Sequence, residues 1–241
     1  MRAVVLAGGR GTRLSPYTFV LPKPLLPIGD RPIVEHIVRR LAAAGFLDIH
    51  FSVGYLGNLV SSYFSELTEL PDGIRLSFTR ETRPLGTAGP LRLIPGGPQP
   101  LLVTNGDVLS DLDYADLVAY HRRRGAVLTI AAQRRETACD FGVVTLGEDG
   151  RVIGFAEKPV QRHTVNMGIY VYEAAALAYL REGAAMDVPD LVQTLLQAGE
   201  RVVAYPFAGA WYDLGTPSDF ERAARDFDGH HPPLTGASQL A

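Results

Sequence analysis

The chain has 241 residues, enough to bury one core or two small ones, and its 46% hydrophobic and 20% charged residues belong to a folded chain, not a disordered one. A formal charge of -3 and a pI near 6.1 argue against a nucleic-acid partner, and no apolar run approaches the roughly 18 residues of a membrane span. One cysteine, Cys139, excludes an internal disulfide and an all-cysteine zinc site, and residues 2–7 are too short for a signal-peptide core, so the expected location is cytoplasmic.

Arg2 to Ala7 is a short apolar run ending in glycines and predicts a buried strand. Residues 8–31 are rich in Gly and Pro without periodicity, and a loop this long in a compact domain is usually functional. Ile33, Val34, Ile37, Val38 and Leu41 then form a helical stripe, with Pro32 at the first helical position and Gly45 as the stop. Asp48–Val53 predicts a second strand, and Leu56, Leu59, Val60, Tyr63 and Phe64 a second helix. Ile74–Thr79 and Leu101–Thr104 are the next strands. This alternation implies an α/β fold: a mostly parallel mixed sheet, Rossmann-like, with helices on both faces.

The second half is richer in strands: Val127–Ala132, Gly142–Leu146, Val152–Phe155, Gly168–Tyr172 and Val202–Pro206, with Glu148-Asp149-Gly150 as a hairpin turn. Asp187 fits the N-cap of a helix through Leu191, Val192, Leu195 and Leu196 that stops at Gly199. A last helix lies near Ser218 to Phe227, and the tail from Asp228 is expected to fray. No linker or internal repeat divides the chain, so residues 1–227 are expected to form a single domain followed by a flexible tail, 228–241.

Ligands of an open parallel sheet lie beyond the carboxyl ends of its strands. Three loaded loops fall there. Gly8-Gly9-Arg10-Gly11-Thr12-Arg13 can bring backbone N–H groups and one guanidinium to phosphate oxygens. It lacks the third glycine of the dinucleotide fingerprint and the Gly-Lys-Ser/Thr of a P-loop. Pro22-Lys23-Pro24 fixes the backbone around a lysine. Only two of the 23 Lys and Arg residues are lysines, Lys23 and Lys158, and each precedes a proline. Lysine retained in an arginine-rich chain marks sites where a compact charge matters. Asn105-Gly106-Asp107 ends a buried strand with a potential magnesium ligand, and Asp213 is its candidate partner.

Ala7-Gly8-Gly9-x-Gly11-Thr12-Arg13-Leu14-x-Pro16 with Lys23-Pro24-Leu25-Leu26-Pro27 resembles the signature of sugar-1-phosphate nucleotidyltransferases, or nucleotide-sugar pyrophosphorylases. The resemblance continues in order through Glu81 to Gly89, Asn105-Gly106-Asp107, Asp140-Phe141-Gly142-Val143, Glu157-Lys158-Pro159, Val165 to Tyr170 and Trp211 to Thr216, covering roughly residues 2 to 227. It implies a glycosyltransferase-A-like nucleotidyltransferase fold with a nucleotide-binding half (about 1–110) and a sugar-binding half (about 111–227). It also implies that Leu6, Ala7, Gly8, Gly9, Gly11, Thr12, Arg13, Lys23, Glu81, Pro84, Gly86, Thr87, Asn105 and Gly106 contact the nucleotide. Arg13, Lys23, Asp107 and Asp213 would be catalytic, with Asp107 and Asp213 binding Mg²⁺. Gly142, Glu157, Lys158 and Asn166 would hold the sugar phosphate. Partners are then a nucleoside triphosphate and a sugar 1-phosphate, with no nucleic acid or membrane, and a homodimer left open.

The implied reaction is attack of a sugar 1-phosphate oxygen on the α-phosphorus, with pyrophosphate leaving. Arg13, Lys23, Lys158 and Mg²⁺ supply the positive field that an acidic protein lacks overall. The phosphate nucleophile is already ionised, so no general base is required. Relatives that use thymidine or uridine triphosphates usually carry glutamine where Glu81 stands. A carboxylate only accepts, and guanine offers two adjacent donors, so Glu81 favours GTP and likens the Glu81–Gly89 stretch to mannose-1-phosphate guanylyltransferases. UTP and dTTP remain open, as do mannose 1-phosphate, a heptose 1-phosphate and a cyclitol phosphate. The rival readings are a catalytically silent regulatory subunit, against which Arg13, Lys23, Asp107 and Asp213 all count, and a dinucleotide-dependent oxidoreductase, against which the incomplete glycine fingerprint counts.

Overall fold

The computed structural model describes residues 1–95 and 100–227. In chain order the elements are β1 (Arg2–Ala7), β2 (Pro27–Ile28), β3 (Arg31–Pro32), α1 (Ile33–Ala43), β4 (Asp48–Val53), α2 (Gly57–Glu66), β5 (Arg75–Arg80), β6 (Leu101–Asn105), β7 (Val108–Ser110), α3 (Tyr114–Arg124) and β8 (Leu128–Ala138). They continue as β9 (Val143–Leu146), β10 (Val152–Ala156), β11 (Val160–Tyr172), α4 (Ala174–Leu177), α5 (Val188–Gln197), β12 (Val202–Phe207), β13 (Trp211–Asp213) and α6 (Pro217–Phe227). The expected tail, 228–241, lies outside the described residues. Among those described, no helix is long and apolar enough to cross a membrane.

Seven strands form one sheet in the order β12-β8-β11-β6-β1-β4-β5. Neighbours run parallel except on the two sides of β11, which is antiparallel to both β6 and β8. The mixed, mostly parallel sheet of the sequence reading is therefore what forms. Strand alternation divides the core. Ala3, Val5 and Ala7 of β1 face the cluster built with α1, α2, α3 and α6, while Val4 faces the cluster built with α4 and α5. Burial on both faces explains why β1 reads as a continuous apolar run instead of an alternating one.

Four features depart from the sequence expectations. Helix α3 was not anticipated. Its buried face is only Tyr114, Leu117, Val118 and His121, and its last turn is His-Arg-Arg-Arg, so the apolar stripe is thin. Its ends are well marked: the Asp113 carboxylate accepts from Ala115 and Asp116 N–H at 2.8 and 3.1 Å, and Gly125 closes the helix at φ 54°. β8 and β11 are also far longer than their apolar cores, because residues 134–138 and 160–164 run on past the other strands as a mostly polar paired ribbon. Pro32 precedes α1 with extended backbone (ψ 150°) and is its cap residue, not its first helical residue. Lastly, the halves are not segregated along the chain. β13 pairs with β7, and α6 packs against β2, so the end of the chain returns to its first half.

Candidate active site

β1, β4 and β6 are parallel and in register, so their carboxyl ends open on one edge of the sheet. Gly8 continues β1, Gly54 continues β4, and Gly106 continues β6. Side chains are excluded where these loops meet. A methyl group on Gly54 would lie 2.6 Å from the Gly8 carbonyl oxygen, and one on Gly106 would lie 2.9 Å from that of Leu6. Gly106 N–H donates to that same Leu6 oxygen at 2.8 Å. The result is a cleft of about 650 Å³ floored by backbone.

Every residue expected to contact a nucleotide lines this cleft: Leu6 through Gly9, Gly11 through Arg13, Lys23, Glu81, Pro84, Gly86, Thr87, Asn105 and Gly106. The 8–31 loop is built from single turns of 3-10 helix, one of them Lys23–Leu25. Gly11 adopts φ 61° there, and Thr18 Oγ1 donates to its carbonyl at 3.0 Å. A methyl on Gly11 would lie 3.0 Å from Lys23 Cβ, so the lysine stem runs against that backbone. Lys23 is only 7% exposed. Its Nζ donates to Asp107 Oδ2 and forms an ion pair with it.

Asp213 arrives at this point through the β13–β7 pairing, which sets it opposite Val108, and Leu214 N–H donates to the Asp107 carbonyl at 3.0 Å. The two aspartates thus become neighbours although they are far apart in sequence. Desolvation by the surrounding protein pushes the Asp213 pKa up, the Asp107 charge adds to this, and Lys23 and Arg13 oppose it. The Arg13 guanidinium lies over Gly215, where a methyl group would stand 3.2 Å from its Nη2. Arg13, Lys23 and Asp107 line the cleft, and Asp213, outside its lining, completes their mixed-charge cluster. Asp107 and Asp213 are the two carboxylates this cluster could offer a cation, and no group of three or more His, Cys, Asp or Glu suited to a metal occurs among the described residues. That set fits a hard cation that takes its remaining oxygens from water and substrate phosphates.

Glu81 leans over Gly8, where a methyl group would meet Oε1 at 2.4 Å. Its Oε2 accepts from Leu85 N–H at 3.2 Å and its Oε1 from Ser52 Oγ at 3.4 Å. Burial raises its pKa, and these two hydrogen bonds oppose the rise. Its arginine neighbours in sequence bond elsewhere: Arg80 donates to Asn58 Oδ1 and Arg83 to the Gly183 carbonyl. Among the described residues Glu81 is therefore oriented without an ion pair, and each oxygen keeps a lone pair beyond the bond it accepts.

The 84–89 loop is fastened by the segment before α5. Ala88 and Gly89 N–H both donate to the Met186 carbonyl, at 2.9 and 3.0 Å, and Met186 N–H donates to Leu85 O at 3.0 Å. Asp187 holds the cap position of α5, as expected, but its side chain does not cap that helix. Its Oδ1 accepts instead from Thr87 N–H at 2.9 Å and Thr87 Oγ1 at 3.1 Å, while Thr87 Oγ1 accepts from Val188 N–H. The polar atoms of Thr87 are engaged in shaping the loop.

The four residues expected around the sugar phosphate stand outside this cleft's lining. Gly142 and Glu157 are adjacent, since a methyl on Gly142 would lie 3.0 Å from Glu157 Oε2. Lys158 follows in the left-handed region at φ 43°, a strained conformation for a side chain of its length. Asn166 is nearer the sheet. Its Nδ2 donates to Tyr170 Oη at 2.7 Å, and its Oδ1 accepts from Gly168 N–H at 2.9 Å. A methyl on Gly168 would lie 2.7 Å from Asn105 Nδ2, which puts that turn at the carboxyl end of β6. The structure brings Asn166 close to the cleft and leaves Gly142, Glu157 and Lys158 on the β8–β11 ribbon side.

Sequence reasoning passed over Tyr55. It lines the cleft, its N–H donates to Gly8 O, and its hydroxyl donates to Phe19 O, both at 3.3 Å. The Arg10 guanidinium lies 5.9 Å from its ring centre. The signal was available, because Gly54-Tyr55 follows a strand end as Gly8 and Gly106 do.

Residues 2–229 match the family described as nucleotidyl transferase. Over 227 residues the chain is 34% identical to mannose-1-phosphate guanyltransferase beta-B of Xenopus laevis, covering 91% of this chain and 62% of that protein. Over 230 residues it is 35% identical to a mannose-1-phosphate guanylyltransferase of Mycobacterium tuberculosis, covering 93% and 64%. The chain thus spans less than two thirds of these relatives. A UDP-glucose pyrophosphorylase from Acinetobacter baumanii shares the fold with a TM-score of 0.73 at 22% identity, covering 97% of this chain and 95% of that one.

Proposed function

The chain belongs to the nucleotidyl transferase family, and from that premise we propose that it transfers a nucleotidyl group from a nucleoside triphosphate, GTP by preference, to a sugar 1-phosphate. The products are an NDP-sugar and pyrophosphate. The observation that carries this reading is that Arg13, Lys23 and Asp107 line a cleft floored by glycine backbone, with Asp213 beside them as their charge neighbour.

In this reading the Gly8–Arg13 loop offers N–H donors to the triphosphate, and Arg13 and Lys23 face the charge that moves onto the departing pyrophosphate. A phosphate oxygen of the sugar 1-phosphate attacks the α-phosphorus in line. It needs no proton removed, so the work of the site is alignment and charge stabilisation. Asp107 and Asp213 would hold a divalent cation, magnesium by the hardness of the ligand set. When bound, such an ion offsets phosphate charge.

For the base, the free lone pairs of Glu81 suit the N1–H and 2-amino donors of guanine. The fixed position of the carboxylate at the cleft supports this choice. The guanylyltransferase names of the similar proteins support both GTP and mannose 1-phosphate as the substrate pair. The proposed setting is cytoplasmic and magnesium-dependent, with two small anionic substrates and no nucleic acid or membrane.

Pyrophosphate release with the four common triphosphates against mannose, heptose and glucose 1-phosphates and a cyclitol phosphate tests the reading. Release with GTP and a sugar 1-phosphate together, and with neither alone, is expected. No release with any pair sinks it.

A further inference from the structure

Two partners compete for the Lys23 ammonium. It is ion-paired with Asp107, and it lines the cleft beside the Gly8–Arg13 loop, where the proposed triphosphate lies. Asp107 is doubly engaged as well, as the partner of Lys23 and, with Asp213, as the proposed seat of a divalent cation. Asp213 feels both the Asp107 carboxylate and the Lys23 ammonium. With Arg13 the cluster holds two cations and two carboxylates, so its four side chains balance one another.

The lysine has little room to move. A methyl on Gly11 would lie 3.0 Å from Lys23 Cβ and 3.4 Å from its Cδ, so the stem is held against that backbone. Pro22 and Pro24 fix the chain on either side, and Leu26 N–H donates to the Lys23 carbonyl at 3.0 Å. The Cε–Nζ end is the part left to swing, between Asp107 and the cleft. Lys23 is also only 7% exposed. A dication bridging Asp107 and Asp213 would stand beside an ammonium that little water screens, and the two would repel strongly.

We propose that Lys23 guards the cation site: its ammonium and a divalent cation compete for Asp107, and the triphosphate relieves the competition by drawing the ammonium onto its phosphates. The inference rests on reading this cleft as a triphosphate and cation site, and it adds a rule of entry. The cation alone binds weakly, and it binds tightly once the triphosphate holds the lysine. The linkage is reciprocal, since a cation on Asp107 releases Lys23 to the phosphates and tightens the triphosphate in turn.

Titration of Mn²⁺ into the full chain without nucleotide, with the free ion followed by electron paramagnetic resonance, tests this. Lys23→Met keeps the stem and removes the competitor. It should bind Mn²⁺ roughly 5- to 150-fold more tightly than wild type, the usual range for coupled sites. Adding Asp107→Asn to Lys23→Met should abolish that gain. Arg13→Met removes the other cation of the cluster, which lies over Gly215 instead of on Asp107, and should give a much smaller gain. The wild type supplies a second measurement, because Lys23 and Lys158 are its two lysines. In protein labelled with ¹³C at lysine Cε, saturating Mg²⁺ should move the Lys23 resonance and leave that of Lys158 in place. Equal Mn²⁺ affinity in wild type and Lys23→Met overturns the proposal. So does an equal gain from Arg13→Met, which reduces the effect to net charge, or a Lys23 resonance that Mg²⁺ leaves unmoved. Absence of Mn²⁺ binding in every variant overturns it too. The probe is the metal alone, so these results count against the guard even where pyrophosphate release shows that nucleotidyl transfer occurs.

Discussion

Replacing Lys23 with arginine keeps the charge and should still damage the enzyme. Lys23 is 7% exposed, its stem runs along Gly11, and its ammonium meets Asp107. A guanidinium is wider than an ammonium and cannot enter along the same path without moving the Gly11 turn. Overpacking of this kind costs about 1–3 kcal/mol. For a chain of this length each kcal/mol lowers Tm by about 2–4 °C, so a fall of roughly 2–12 °C is expected. The catalytic loss should be larger, because a charge misplaced by about 1 Å at the reacting phosphate can reduce the rate about 100-fold. Lys23→Met, which keeps the stem and removes the charge, should lower kcat by about 10²–10³-fold while Tm changes less than in the arginine variant. Pyrophosphate release gives kcat and differential scanning calorimetry gives Tm. Arginine and wild-type enzymes with equal kcat would refute the claim that the position of this charge matters.

Asp107→Asn and Asp213→Asn should each reduce kcat about 100-fold or more with little change in melting, and EDTA should stop wild-type turnover; turnover that survives EDTA would remove the two aspartates from a metal role. Asp187→Ala removes the acceptor for two Thr87 donors and should raise the KM for the triphosphate roughly 10-fold with kcat nearly kept, while Asp187→Asn, which retains an acceptor oxygen, recovers most of the loss. Steady-state titration of both substrates checks this split. Burial lifts the Glu81 pKa above the ordinary carboxylate range, so protonation on the acid side should remove its acceptor capacity and raise the KM for GTP at a pH where free carboxylates are still ionised. In stability the sign is the reverse of that for a salt-bridged carboxylate. The ionised form carries the desolvation cost, which is relieved as pH falls through the raised folded-state pKa, so Glu81→Gln should melt higher at neutral pH and lose the acid limb of the GTP profile.

Legibility of the fold followed burial. β1, β4, β6 and α1 are buried on their contact faces, so their apolar patterns declared them. Helix α3 was hidden by its polar composition, and its Asp113 cap and Gly125 stop were the only readable signs. The ribbon of residues 134–138 and 160–164 is held by pairing between two mostly polar segments, which leaves no periodicity for a sequence pattern to show. In the site, glycine spacing and the two proline-flanked lysines marked the loops, and strand ends marked Asp107. That Asp213 would join Asp107 followed from family resemblance, since a three-residue strand such as β13 has no pattern of its own. The fastening of the 84–89 loop was invisible, because the Met186 contacts are made by backbone groups that carry no sequence signal and Asp187 reads as the cap of α5, not as a partner of Thr87.

The most direct test of the account is the fate of the α-phosphate. GTP labelled at the α-phosphorus, incubated with mannose 1-phosphate, magnesium and the purified chain, should pass its label into a GDP-sugar while unlabelled pyrophosphate appears in equal amount. GTP should exceed UTP and dTTP in kcat/KM by roughly 5- to 150-fold, the cost of a buried acceptor at Glu81 left unpaired by the wrong base. Label that stays in GTP with every sugar 1-phosphate, or that moves equally well from Asp107→Asn enzyme, would contradict the assignment of this cleft to nucleotidyl transfer.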